Sequence, residues 1–411
     1  MHIVMLSDNE TKGGAAVAAS RLAEGLCTLG HRVTRLVDRP NGYNHVWNLR
    51  SLAPSDRHFQ LLNIIQRGVG VRFRSRFAAL GARHRLKGAL AHLRPDVINV
   101  HNLHLAMGSG WSVELLRTCC RYAPTVWTLH DMWSFTGRCA YSYDCHMFIK
   151  GCNDSCPTPT EYRRLSPELI AGEWRQRQRL LREYPDLVAV CPSRWLAHNA
   201  LAGVWAGHRV EVIPYGLPLN TYQPIDRGVA RVALDIATKG PVLLTVAHTL
   251  TERRKGGEIL SEAIQHTSSR PLILITVGHG RLDMRSDTIC VQSLGYIDHE
   301  RTKVLAYSAA DVLVHPAPVD NLPNTMMEAI ACGTPVVAFA AGGMPDIIRP
   351  GQTGWLADNI SPVALARTLD QAIADLNQGL DLQASCRAVA EAEYSINLQA
   401  QRYSELFRSL R

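Results

Sequence analysis

The chain has 411 residues, of which 46% are hydrophobic and 19% are charged, and we expect this length to form two globular domains. Its longest apolar runs, such as "PVVAFA" and "PLILITVG", are far shorter than the roughly 20 residues that a membrane span needs, which argues against an integral membrane protein. The N-terminal stretch lacks the basic segment of a secretory signal, so residence in the cytoplasm is expected.

The net charge of +8 is concentrated in one stretch of the chain, since ten Lys or Arg lie between Arg50 and Arg94 against one acid, Asp56. Residues 67–94 alternate basic with apolar side chains, as a helix lying on an anionic membrane surface does. The same pattern also fits a solvated helix face over the core. No nucleic-acid-binding motif accompanies the basic residues, so a nucleic acid partner is not expected.

Apolar runs that alternate with helix-period segments organise both halves of the chain. In the first half, "HIVML", "HRVTRLV", "DVINVHN", "TVWTLHD" and "DLVAVCPS" predict five strands, and "PVLLTVAH", "PLILITVGHG", "TICVQSLGYI", "DVLVHPAP" and "TPVVAFAAGG" predict five more. Buried strands that alternate with helices are typical of parallel sheets covered by helices on both faces, so an α/β fold class is predicted. We expect domains at 1–205 and 206–390, with a final helix at 391–411 that packs on the first domain.

Two acids in "DNLPNTMMEAIACG" occupy positions suited to a ligand site. Pro323 and Asn324 predict a turn and an N-cap, followed by a short helix over 325–332. Glu328 then lies near the start of this helix, and Asp320 lies in the loop before it. A helix N-terminus attracts phosphate, whereas a carboxylate accepts hydrogen bonds from hydroxyl groups. The stretch therefore indicates a ligand that carries both sugar and phosphate.

This stretch resembles the acid-x7-acid signature of retaining glycosyltransferases of family 4. Other segments resemble the family in the same order along the chain: "KGG", "LHDMWSFTG", "VCPSRW", "VIPYG", "RRKGG", "VGHG", "LGYI", "GGMPDII" and "GQTGWL". The resemblance implies the GT-B architecture, in which two Rossmann-like, doubly wound parallel-sheet domains face a central cleft.

The resemblance also implies roles for individual residues. Glu328 would hold the ribose hydroxyls, Asp320 would contact the donor hexose where the family usually has Glu, and His130 would orient that hexose. Lys255 and Arg254 would stabilise the leaving diphosphate, although the further Arg that the family often carries is Leu250 here. His101 is a candidate on the acceptor side. The remaining donor-binding candidates are Gly13, Gly14, Gly278, Leu322, Pro323, Asn324 and Thr325.

The activity implied is transfer of a hexose from a UDP- or GDP-hexose to a saccharide or a polyprenyl-linked saccharide, with retention of the anomeric configuration. The product would belong to exopolysaccharide, capsule or O-antigen assembly. No metal or other cofactor would be needed for this chemistry. The enzyme would work in the cytoplasm or peripherally on the inner membrane. Two alternatives remain open, a catalytically silent nucleotide-sugar-binding subunit and a sugar-nucleotide epimerase of the same architecture.

Four cysteines cluster in one loop-like insertion at about 137–160: Cys139, Cys145, Cys152 and Cys156. Four thiolates this close could bind a structural zinc ion in tetrahedral geometry. Their spacing differs from the usual Cys-x2-Cys pairs, so free or pairwise oxidised thiols remain alternatives.

Overall fold

The computed structural model describes residues 1–40, 46–49, 71–104, 110–158, 165–236, 240–282, 284 and 288–411, with side chains of the helix over 71–93 described from position 78 onward. The chain divides into two compact units. The first contains Met1–Ile213 and Gln399–Arg411, and the second contains Pro214–Leu398.

The first unit is built on a seven-stranded parallel sheet in the order β3-β2-β1-β4-β5-β6-β7. Its strands are β1 (His2–Asn9), β2 (Arg32–Arg39), β3 (Val46–Asn48), β4 (Val97–Val100), β5 (Thr125–Thr128), β6 (Val188–Cys191) and β7 (Val210–Val212). Its helices are α1 (Gly14–Thr28), α2 (Val71–Leu93), α3 (Val113–Cys120), α4 (Met147–Lys150), α5 (Pro167–Glu183) and α6 (Arg194–Ala202).

Strand β1 shows why this sheet is covered on both faces. Successive side chains of a strand point to opposite faces, and Val4 and Leu6 belong to one hydrophobic core whereas Ile3 and Met5 belong to another. Helices α2, α3, α5 and α6 contribute to the first of these cores. Helix α1 and the C-terminal helix contribute to the second, so the apolar run Ile3–Leu6 of β1 is buried on both faces of the sheet.

The second unit has a six-stranded parallel sheet in the order β10-β9-β8-β11-β12-β13. The strands are β8 (Val242–Thr249), β9 (Leu272–His279), β10 (Ile289–Gly295), β11 (Val312–His315), β12 (Val336–Phe339) and β13 (Gly354–Ala357). The helices are α7 (Arg227–Ala233), α8 (Gly257–His266), α9 (Glu300–Ala309), α10 (Asn324–Ala331), α11 (Pro362–Asn377) and α12 (Gln383–Glu393). Both sheets have the doubly wound strand order, as predicted.

The structure contains three strands that the sequence analysis did not identify, β3, β7 and β13. Each has three or four residues and is only partly buried, so it lacks the continuous apolar run that identifies equally short strands such as β4 and β11. Because β7 pairs with β6, the first unit extends to Ile213, beyond the expected boundary at 205.

The last helix, α13 (Ile396–Ser409), contributes apolar side chains to the first unit. Tyr403 and Phe407 lie in the same core as Ile3 and Met5, and the Tyr403 hydroxyl is 2.9 Å from Thr128 Oγ1. The first unit therefore includes the chain from Gln399, later than the expected start at 391. None of the helices in the described ranges is long and apolar enough to cross a membrane.

Candidate functional site

The carboxyl ends of β8 and β11 form the switch point of the second sheet. These strands are neighbours, but β8 is followed along the chain by β9 on one side, and β11 by β12 on the other. In open α/β sheets, ligands bind in the crevice that this reversal of direction creates. The loop after β8 carries Arg254 and Lys255, and the loop after β11 carries Asp320.

The structure brings these three side chains together. Lys255 Nζ donates a hydrogen bond to Asp320 Oδ2 at 2.7 Å, and Arg254 Nη1 lies 3.5 Å from the same oxygen. Arg254 Nε also donates to Glu252 Oε1 at 3.2 Å. The Lys255 and Arg254 side chains keep 21% and 27% of their surface exposed, against 10% for Asp320, so both cations can still meet a ligand from solvent.

The protonation state of Asp320 follows from its surroundings. Burial opposes the charged form, but Lys255, His315 and Arg254 outweigh it and hold the pKa of the carboxyl well below its usual range. His315 Nε2 is 3.7 Å from Asp320 Oδ2. Burial lowers the pKa of His315, so Lys255 and Arg254 supply the cationic charge beside Asp320 at neutral pH.

Close backbone contacts fix the loops that carry these residues. Gly256, directly after Lys255, has a φ of +73°, and a Cβ there would collide with the carbonyl of Pro316. Gly342, after β12, has a φ of +57°, and a Cβ there would collide with the carbonyl of Asp320. The N–H of Gly343 donates to that carbonyl at 2.9 Å. Three loops therefore meet at Asp320, because glycine lets their backbones approach.

Glu328 lies in the second turn of α10, which begins at Asn324, one residue earlier than predicted. Its side chain is buried, and Oε2 accepts a hydrogen bond of 2.9 Å from the hydroxyl of Tyr307. Burial and the Glu328 charge raise the pKa of Tyr307 well above its usual range, so the phenol stays a donor. Tyr307 is held in turn by Thr334, whose hydroxyl donates to its carbonyl at 2.7 Å.

The predicted pocket residues at the start of α10 occupy the loop and first turn beside Asp320. Leu322 and Pro323 are buried, and Asn324 and Thr325 are partly exposed. The first backbone N–H groups of a helix have no intrahelical acceptor, and they carry a partial positive charge that suits an anion.

Two other positions in the second unit show tight packing. Gly278, in β9, has a φ of +146°, and a Cβ there would collide with the carbonyl of Ala247. Leu250, at the position where the family often has Arg, is buried, and its N–H donates to the carbonyl of His279 at 2.8 Å. Leu250 therefore belongs to the core.

In the first unit, the candidates lie beyond the carboxyl ends of β1, β4 and β5. Gly13 has a φ of +96° and open space around its Cβ position, and Gly14 begins α1. His101 and His130 are both buried, and His101 Nδ1 lies 2.9 Å from His130 Nε2. The structure thus joins these two histidines in one hydrogen-bonded pair.

The four cysteines of the insertion surround one small cavity of about 10 Å³. The N–H of Gly137 donates to Cys152 Sγ at 3.2 Å, and burial raises the pKa of the Cys152 thiol to about 11. Among the described residues, however, no three His, Cys, Asp or Glu side chains are arranged to hold a metal ion. Zinc binding by these thiols therefore stays a prediction.

The basic segment 67–94 is described in part. Arg67 lies outside the described residues, as do the side chains of Arg72, Arg74 and Arg76. Farther along α2, Leu86 and Leu90 belong to the core, whereas Lys87 is exposed. The described part of this helix covers the core with one face and presents charge on another.

Tyr307, His315, Gly342 and Gly343 contact the candidate residues and were not named as site candidates, although the two glycines lie in the family segment "GGMPDII". His315 had a visible signal, since it ends the apolar strand "DVLVH" five residues before Asp320. Tyr307 had none, because it sits in the helical stretch "VLAYSAA" far from Glu328 along the chain.

Two family models match the chain. One, described as Glycosyltransferase Family 4, matches residues 12–221, about half of the chain, and another, described as Glycosyl transferases group 1, matches residues 240–375. The chain belongs to glycosyltransferase family 4. In this family 4 member, the first match covers most of the first unit and ends shortly after Ile213, and the second match lies within the second unit.

Curated relatives match part of this family 4 chain. D-inositol 3-phosphate glycosyltransferase of Actinosynnema mirum is 33% identical in an alignment of 205 residues that covers 43% of this chain and 49% of that protein. The colanic acid biosynthesis glycosyl transferase WcaC of Escherichia coli K12 is 28% identical over 62% of each chain. The family 4 chain thus spans about half to three fifths of the length of these relatives.

Solved structures share the GT-B fold over the whole of this family 4 chain. Sucrose-phosphate synthase from Thermosynechococcus elongatus has a TM-score of 0.68 at 20% identity, covering 100% of this chain and 98% of that one. Anabaena HepE in complex with UDP-glucose has a TM-score of 0.65 at 18% identity and covers 100% of both chains. At these identities the likeness establishes the fold.

The first prediction concerns Gly256. Gly256→Ala should lower the free energy of unfolding of the second unit by more than Gly351→Ala, because both positions have similar φ but only the first Cβ meets another backbone. We expect Gly351→Ala to cost about 1–2 kcal/mol from its left-handed conformation alone. Urea unfolding of both variants tests this, and equal losses would contradict the close contact with Pro316.

A second prediction compares two buried tyrosines. The Tyr307 hydroxyl donates to a carboxylate, whereas the Tyr394 hydroxyl donates to the carbonyl of Asp346 at 3.1 Å. Removal of a hydrogen bond to a charged group costs about 1.5–3 kcal/mol against about 0.5–1.5 kcal/mol for a neutral one. Tyr307→Phe should therefore destabilise the protein more than Tyr394→Phe in denaturant unfolding. The reverse order would show that Glu328 does not depend on Tyr307.

Proposed function

We propose that this family 4 member transfers a hexose from a UDP- or GDP-sugar to a saccharide or polyprenyl-linked saccharide, with retention of anomeric configuration. The observation that carries the proposal is the contact of Lys255 and Arg254 with Asp320 at the switch point of the second sheet. Two cations, a carboxylate and a helix N-terminus in one place suit a ligand that has a diphosphate and hydroxyl groups.

The diphosphate would lie between the two cations and the start of α10. An ammonium group has three donors and a guanidinium group has five, so Lys255 and Arg254 can keep their contacts with Asp320 and Glu252 and still bind phosphate oxygens. Backbone groups of Leu322, with those of the first helical turn, would add further donors.

The hydroxyl groups of the donor would be bound by the two acids. A carboxylate can accept about four hydrogen bonds, so Glu328 can hold Tyr307 and a ribose diol together. Asp320, ionised at neutral pH, would accept from the hexose while it holds Lys255 in position. Its side chain is one methylene shorter than the usual Glu of the family, and the bond to Lys255 fixes its orientation.

Positive charge near the diphosphate would also drive the reaction. Departure of the nucleoside diphosphate concentrates negative charge on its oxygens, so fixed cations stabilise the transition state more than the bound substrate. Lys255, Arg254 and the N-terminus of α10 would supply this charge without a metal ion. The acceptor would attack from the face that the diphosphate leaves, and the diphosphate would take its proton. His130 would orient the hexose.

The biological setting we propose is surface-polysaccharide assembly on the cytoplasmic face of the membrane. The description of the WcaC relative names colanic acid biosynthesis, and this supports a polysaccharide product. The excess of Lys and Arg between Arg50 and Arg94 would favour an anionic membrane surface and a lipid-linked acceptor.

A third prediction tests the diphosphate site. Lys255→Met should weaken the binding of UDP or GDP at least tenfold in calorimetry, since a charge-assisted hydrogen bond is lost at about 1.5–3 kcal/mol. Lys255→Arg keeps the charge beside Asp320 and should retain more affinity. Arg253→Met, at an exposed neighbouring position, is the matched control for loss of one cation. Equal weakening by Lys255→Met and Arg253→Met would overturn the assignment.

A fourth prediction addresses the reaction itself. With its preferred nucleotide sugar and an acceptor, the protein should form a product whose anomeric configuration equals that of the donor, as read by NMR. Inversion would contradict the mechanism. Binding of donor with no transfer to any acceptor would favour a silent subunit, and isomerised donor without acceptor would favour an epimerase.

A further inference from the structure

His101 and His130 form a buried pair beyond the carboxyl ends of two interior strands of the first sheet. His101 directly follows β4 and His130 lies just beyond β5, and these neighbouring parallel strands pair Val100 with Trp127. The two imidazole rings lie edge to edge, with centroids 5.2 Å apart and planes tilted by 26°. Their nitrogens, Nδ1 of His101 and Nε2 of His130, are 2.9 Å apart, which is a hydrogen-bond distance.

Both rings are neutral at physiological pH. Burial lowers the pKa of His130 to about 4, with Asp131 opposing and His104 assisting the shift. Burial, His130 and Arg35 lower the pKa of His101 well below its usual value. A neutral imidazole carries one proton, so one ring of the pair donates and the other accepts.

The surroundings of His101 decide which ring donates. His101 Nε2 is buried and has no hydrogen-bond partner among the described residues. A proton on that nitrogen would bury an unsatisfied N–H group, whereas a proton on Nδ1 leaves only a lone pair unsatisfied, and orphaned N–H donors are the rarer and costlier case. His101 therefore carries its proton on Nδ1 and donates it to His130 Nε2.

The backbone of His101 is fixed on two sides, which keeps this donor in place. Its N–H donates to the carbonyl of Leu6 at 2.8 Å, and its carbonyl accepts from Trp127 Nε1 at 3.3 Å. The carboxylate beside His130 is engaged elsewhere, since Asp131 Oδ2 lies 2.8 Å from His104 Nε2. His101 Nδ1 is thus a fixed donor toward His130 Nε2.

We propose that His101 is a positioning residue for sugar transfer, because its Nδ1–H group holds His130 in the tautomer protonated at Nδ1. The Nδ1–H group of His130 is then the hydrogen-bond donor that this ring offers to its other neighbours. This inference rests on the proposed function for its effect on the hexose, but the protonation pattern of the pair does not depend on that function.

The experiment compares three variants of the full chain. His101→Leu removes the donor, and His101→Asn replaces it with an amide N–H near the position of Nδ1. His31→Leu is the control, because His31 is also a buried histidine of the first unit, bonded to Ser404 at 2.8 Å. We expect kcat/KM for sugar transfer to fall about tenfold in His101→Leu, to stay within about threefold in His101→Asn, and to stay unchanged in His31→Leu.

A spectroscopic measurement separates positioning from a general loss of stability. In ¹⁵N-histidine-labelled protein, with His130 assigned by the loss of its signals in His130→Gln, two-bond ¹H–¹⁵N spectra should show a protonated Nδ1 and a bare Nε2. His101→Leu should change this pattern and His101→Asn should preserve it. A wild-type His130 protonated at Nε2 would overturn the proposal even if no sugar transfer is found. Equal activity of His101→Leu and wild type would also overturn it.

Discussion

The hydrogen-bonded ion pair between Lys255 and Asp320 connects the two halves of the second sheet at the point where its strand order reverses. Lys255 follows β8 and Asp320 follows β11, so the pair joins loops whose strands continue in opposite directions along the sheet. Partly buried charges lose hydration, and this cost is repaid only when geometry and neighbouring hydrogen bonds are good. At 2.7 Å, with Arg254 and the N–H of Asn321 also close to the carboxylate, these conditions are met.

The backbone around Asp320 is as constrained as its side chain. Glycines at 256 and 342 let two loops approach the β11 loop more closely than any other residue would allow. A rigid arrangement of this kind holds charges in place before a ligand arrives, so little reorganisation is needed when negative charge develops. Glu328 receives comparable support from Tyr307, a contact between helices α9 and α10 within the same unit.

Much of the fold could be predicted from the sequence, because long apolar runs such as those of β1, β8 and β9 have clear strand patterns. The strands β3, β7 and β13 were missed because they are short and only partly buried, and so lack a continuous apolar run. The helix at 324–331 was displaced by one residue because Pro323, and not Asn324, precedes its first turn. These errors arise because contacts with neighbouring elements, and not the local sequence alone, determine the secondary structure of such short segments.

For the candidate site, the sequence supplied Lys255, Arg254, Asp320 and Glu328 through their resemblance to family motifs. The direct contact between Lys255 and Asp320 could not be read from the sequence, since 65 positions separate them. The pairing of His101 with His130 likewise depends on the register of β4 against β5. Motifs therefore indicated the chemistry, whereas sheet topology determined which groups meet.

A crystal structure with a bound UDP- or GDP-sugar would show whether the ligand lies at Lys255 and Asp320. We expect diphosphate oxygens within hydrogen-bond distance of Lys255 Nζ, the ribose hydroxyls on Glu328 and the hexose on Asp320. A nucleotide bound elsewhere, with the pair of Lys255 and Asp320 untouched by the ligand, would contradict it.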